Sequence, residues 1–186
     1  IGVDAIRHAG LVLAELDRLD GEELPRRSDA LLGRPSLHAS SIEGGMGLST
    51  YPDRCIVRVE RRTIPGETAD DALREMRAVC DRVRDAVPAL RVDVELLFAQ
   101  PPSDVEMDAP IAKELASVIR AQRLDASPVG MSAWTDAALL NAAGIPAVCF
   151  GPGDMGLAHA AEEYIDVEEI ERATEVLVAL ATAWCN

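Results

Sequence analysis

The chain has 186 residues, 48% of them apolar but only 3% aromatic, so it is long enough for one large or two small domains with an aliphatic core. Eighteen basic residues against 32 acidic ones leave a net charge of −14, which argues against nucleic acid or an anionic membrane as a partner. No apolar run approaches the ~20 residues needed to span a bilayer, and no signal-peptide pattern precedes the first helix.

In chain order, Gly2 to Leu19 reads as an amphipathic helix, with Val3, Ile6, Ala9, Leu16 and Leu19 at three- and four-residue steps. Its beginning at Ile1 rather than Met reads as a piece of a longer chain. Residues 20–35 mix charge, Pro and Gly and read as an irregular connection. Leu37 to Ile42 is a weak strand candidate carrying His38, which reads as structural. Gly44-Gly45 breaks it, and a Gly/Ser/Thr-rich link reaches Tyr51-Pro52. Arg54 to Thr63 alternates like a strand with one covered face. Thr68, with Asp71 three residues on, predicts a capped helix with a Leu73, Met76, Cys80, Val83, Val87 stripe, ended by Pro88. Arg91 to Ala99 predicts a further strand. The order helix, strand, strand, helix, strand suggests a ferredoxin-like unit without its first strand.

Residues 100–104 form a plausible boundary, which divides the chain into 1–104 and 105–186. Asp108 is expected to cap a helix with Pro110 in its first turn and Ile111, Leu115, Val118 and Gln122 inward. A short helix, Ala137 to Ala143, follows Asp136 and stops at Gly144. A buried strand is expected over 146–150, then the Gly151-Pro152-Gly153 loop and His159. Asp166, with Glu169, is expected to cap a last helix that buries Val167, Ile170, Ala173, Leu177, Leu180 or Ala181, and Trp184. Cys55, Cys80, Cys149 and Cys185 form no CxxC pair and are read as buried free thiols in a reducing cytoplasm.

Taken by type alone, the candidate site residues are ambiguous. His159 is either a solvated loop histidine or a ligand. Arg61-Arg62 is either a surface pair or a carboxylate clamp at a strand end. Asp136 is either a helix cap or a carboxylate that orients a neighbouring group. Ser49 is a hydroxyl donor in a glycine-rich loop. One histidine is not a metal site, because zinc takes three or four protein ligands.

An ordered set of short motifs adds to this. Ile42-Glu43-Gly44-Gly45, Tyr51-Pro52, Arg62 three residues before Pro65, Trp134-Thr135-Asp136-Ala137, Gly144-Ile145-Pro146, Phe150-Gly151-Pro152-Gly153, Ala158-His159 and Glu163-Tyr164 follow one another along nearly the whole chain. Together they resemble the zinc amidohydrolases and exopeptidases that include acetylornithine deacetylase, succinyl-diaminopimelate desuccinylase, aminoacylase and carboxypeptidase G. The resemblance implies an α/β fold class. Residues 1–104 correspond to a dimerising α+β lid, and 105–186 to the last part of an α/β metallohydrolase catalytic domain.

The same resemblance implies that His159 is one ligand of a two-zinc site, for which cobalt could substitute. It implies that Arg62 binds the substrate carboxylate, that Gly151 and Gly153 line the substrate, and that Asp136 and Glu163 support the site; Ser49 stands where relatives often carry Asn and is counted with the supporting residues as a departure that alters substrate or dimer contacts. The general base and the other ligands are expected upstream of residue 1, so no catalytic residue is expected within the segment. The implied activity is cleavage of the amide of an N-acyl amino acid or small peptide, by a homodimer. The segment alone is expected to be inactive. The alternative is a non-catalytic dimerisation module. The zinc-enzyme reading expects the His159 ring to face a cleft.

Overall fold

The computed structural model describes residues 2–185. The chain divides into two compact units, Ile1–Ala99 and Gln100–Asn186.

The first unit opens with helix α1, Ala5–Arg18, whose N-cap Asp4 accepts from the Arg7 N–H. The helical path continues through a π turn, Leu19–Glu23, and a 3-10 turn, Leu24–Arg26. This is a correction, because 20–35 was read as irregular. Leu19 and Leu24 are buried, and burial of these two side chains holds the turns in place although their neighbours are charged. Strand β1, Ser36–Gly44, pairs antiparallel with β2, Cys55–Arg62, with a register shift between Ala39 and Ser41. His38 stands opposite Glu60 in this register. Helix α2 covers Ala69–Ala86. Leu16, Leu19, Leu24 and Val79 form the core, with Leu37, Val59 and Met76 packed on it. The α2 stripe thus includes Val79, one residue beside the expected Cys80.

The capping box at the α2 N-terminus forms as read: Thr68 Oγ1 accepts from the Asp71 N–H, and Asp71 Oδ2 accepts from the Thr68 N–H and hydroxyl. The Thr68 hydroxyl and then its N–H hold the Asp71 carboxyl below the usual carboxylate range. With the folded value depressed, the contribution to stability is present above the unfolded value and is lost as pH falls through the folded one. In Thr68→Ala the Asp71 carboxyl is expected to titrate closer to the usual range. A carbon-detected NMR titration of Asp71 that shows no upward movement would contradict this account.

The segment 91–99 was expected to be a strand, but it joins no ladder among the described residues. Val92 and Val94 are half-buried while Asp93 and Glu95 are exposed, so the alternation survives there. A strand needs a partner edge as well as a pattern, and Leu96, Leu97 and Phe98 are exposed.

The second unit contains α3, Pro110–Ala121; α4, Ala137–Ala142; a 3-10 turn, Met155–Leu157; and α5, Val167–Trp184. Leu115, Val118 and Ile119 of α3 and Val176 of α5 form its core, with Val148 and Phe150 packed against it. Three capping expectations fail. The N-cap of α3 is Ala109, with Pro110 at the first position, and Asp108 instead stands 4.0 Å from Lys113. Asp136 and Asp166 occupy cap positions without a side-chain cap bond. The α5 face agrees in part: Ala173 is buried and Leu180 packs on the core as expected, and Val176 is buried as well, whereas Val167, Ile170, Leu177 and Trp184 are exposed. The stripe that α3 covers is narrower than the apolar stripe in the sequence.

The run 146–150 forms no ladder among the described residues either. Its backbone partner is the Asn141 side chain: Asn141 Oδ1 accepts from the Ala147 N–H at 2.7 Å, and Asn141 Nδ2 donates to the Ala147 carbonyl at 3.0 Å. One side-chain amide therefore does for Ala147 what a neighbouring strand would do. All four cysteines are free, but only Cys80 is buried; Cys149 and Cys185 are exposed, contrary to the expectation.

Candidate functional site

Of the candidate residues, Arg62 and Ser49 belong to the first unit and Asp136, Gly151, Gly153, His159 and Glu163 to the second.

Along β2, Val57, Val59 and Arg61 alternate with Arg58, Glu60 and Arg62. A pleated strand sends successive side chains to opposite faces, so the two adjacent arginines have different surroundings. The Arg61 side chain is 6% exposed and pairs with Glu67 at 3.0 Å and with Glu75 of α2 at 3.0 Å. Arg27 bridges the same two carboxylates at 2.6 Å each. Glu67 also accepts from the Ile64 N–H, and Arg61 donates to the Arg62 carbonyl. This knot of two cations and two anions ties the end of β2 and the 63–67 turn to α2. It leaves Arg62 on the other face, half exposed, with Nε donating to Glu60 Oε1 at 2.9 Å. Glu60 in turn lies 3.4 Å from His38 Nε2. Ser49 is exposed in the link between the strands.

In the second unit, the Gly151-Pro152-Gly153 loop follows Phe150, whose ring packs on the α3–α5 core. Gly153 has φ +96°, a conformation that glycine adopts without a Cβ penalty. Its N–H donates to Glu169 Oε2 at 2.9 Å. Glu169 was read as part of a helix cap; it reaches the glycine loop instead and fixes it to the first turn of α5. His159 is exposed and left-handed, φ +66°, with its N–H donating to Glu163 Oε2 at 3.1 Å. This joins two of the predicted residues, His159 and Glu163, through the backbone of the first. Asp136 and Gly151 are exposed.

Among the described residues, no three His, Cys, Asp or Glu side chains converge to hold a metal ion. Sequence reading missed Glu60, Glu67 and Glu75 as organisers of the β2 end in the first unit, and Asn141 and the loop contact of Glu169 in the second. The only signals were the strand period, which separates Arg61 from Arg62, and the polarity of residues beside the motifs.

Comparison with known proteins agrees with the ordered motifs. The chain is 27% identical to acetylornithine deacetylase of Myxococcus xanthus over all of its own length and 48% of that protein. It is 29% identical to a Mycobacterium tuberculosis protein bearing the name succinyl-diaminopimelate desuccinylase, over 95% of this chain and 46% of that one. The chain thus spans about half the length of the curated relatives it matches. Its fold is similar to that of aminopeptidase PepT from Bacillus cereus, with a TM-score of 0.71 and 20% identity over 96% of this chain and 45% of that one. The model of peptidase family M20/M25/M40 matches residues 5–183, and the chain belongs to that family.

Proposed function

We propose that this chain supplies the lid and the carboxyl-terminal catalytic segment of a metal-dependent hydrolase that cleaves the amide bond of N-acyl amino acids or small peptides. The observation that carries this reading is the family match over 5–183. Similarity to a deacetylase across the whole chain supports the choice of acyl amino acids. In this reading residues 1–104 are a ferredoxin-like lid that also forms a homodimer, and residues 105–186 belong to the catalytic domain. The acidic composition suits a small-molecule substrate and a cytoplasmic setting.

Arg62 binds the substrate carboxylate through its guanidinium fork, the geometry for which arginine is better suited than lysine. The Gly151–Gly153 loop, fixed by Glu169, offers backbone at close range to the substrate. His159 contributes one imidazole to a zinc site, with Glu163 holding its backbone and Asp136 and Ser49 in support. The described residues do not fit a metal ion by themselves, since no three ligands converge. The remaining ligands and the general base would have to come from outside these 186 residues, so the chain alone is proposed to be inactive.

The test is His159→Ala in the full-length protein, with metal content and hydrolysis of N-acyl amino acids measured together. Loss of a ligand is expected to reduce activity on the order of 100-fold or more and to lower bound metal. Unchanged metal content and turnover would remove His159 from the site. Turnover by the 186 residues alone would contradict the proposed division of the active site.

A further inference from the structure

On the exposed face of β2 the charges alternate: Arg58, Glu60, Arg62. Glu60 lies between the two arginines, but its carboxylate pairs with Arg62 and not Arg58, which pairs with Glu43 on β1. The contact uses Arg62 Nε, and among the described residues no hydrogen bond engages Arg62 Nη1 or Nη2. The end of the guanidinium is therefore available while its side is occupied. His38, opposite Glu60 on β1, lies against the other carboxylate oxygen. Arg62 itself is anchored at its carbonyl by the buried Arg61.

We propose that Glu60 is a specificity-determining residue: a resident counter-ion that directs an incoming carboxylate to the end-on fork of Arg62 and weakens its binding there. The inference rests on the proposed role of Arg62 as the carboxylate reader. A substrate carboxylate at Nη1 and Nη2 would sit roughly 6–7 Å from the Glu60 carboxylate, within a Debye length at ordinary salt. The two anions repel through a water-exposed path, so the effect is modest, about three-fold in affinity. Glu60 thus tempers product and substrate carboxylates alike.

Glu60→Gln separates charge from shape, because the amide oxygen still accepts from Arg62 Nε. The full-length enzyme is assayed on an N-acyl amino acid and on its carboxamide, which lacks the negative charge. In Glu60→Gln the acid-over-amide ratio of kcat/KM is expected to rise roughly three-fold, and the gain to shrink as salt is raised. The double variant Glu60→Gln/Arg62→Met should show no such gain over Arg62→Met. A ratio that is unchanged or lower in Glu60→Gln, or a gain that survives in the double variant, overturns the proposal. Arg62→Met alone tests the underlying reading: it should lower the same ratio at least ten-fold. A fall with Arg62→Met but no rise with Glu60→Gln leaves the Arg62 role standing and removes that of Glu60. An unchanged ratio in Arg62→Met removes both.

Discussion

Replacing Arg61 by methionine is expected to destabilise the first unit by about 3 kcal/mol or more. The residue looks like half of a surface Arg-Arg pair, yet its side chain is 6% exposed and faces Glu67 and Glu75, which are 10% and 19% exposed. Removing one cation leaves two half-dehydrated carboxylates sharing Arg27, itself the more exposed of the two arginines. The penalty is chiefly that of an uncompensated buried charge rather than the net worth of the pairs. It follows that Arg61→Met/Glu75→Leu should recover part of the loss, because the second change removes the stranded anion. Urea unfolding followed by circular dichroism reads both variants. A single variant within about 0.5 kcal/mol of the parent, the usual range for surface changes, would mean that the knot is ornamental. Arg62→Met, on the opposite face, is the matched control and should fall in that small range.

Leu24→Ala is expected to cost a similar amount, about 3 kcal/mol, by leaving a cavity among Leu16, Leu19 and Val79. Leu24 is fully buried although its neighbours are Glu22, Glu23, Pro25 and Arg26. Leu31, a few residues on and half exposed, provides the comparison. Leu31→Ala should change stability by no more than about 0.5 kcal/mol. Equal midpoints for the two variants in urea would refute the placement of Leu24 in the core. The result also bears on the proposed carboxylate reader, because the same core carries Val59, three residues before Arg62 on β2.

The candidate site was legible in unequal parts. The motif order was enough to point to one family, and the match over 5–183 places the chain in it. How the candidate residues are held was not legible. Glu169 reads as a helix cap because it lies three residues after Asp166, the spacing of a capping box. Its carboxylate forms no capping box with Asp166 and accepts from the Gly153 N–H instead. Glu60 reads as one more charge on a wet strand face, and its significance depends on where the Arg62 side chain lies.

From sequence alone, the helices α1, α2 and α3 and the Thr68–Asp71 cap followed, because each depends on residues a few positions apart. Periodicity and caps are local physics. Only the tertiary structure decided which arginine of the pair is buried, that Leu24 enters the core and that Asn141 serves as the backbone partner of Ala147. It also decided that 91–99 and 146–150, both patterned as strands, carry no ladder among the described residues. Those outcomes turn on partners distant in the chain, and a local pattern specifies which face is apolar without specifying what will cover it.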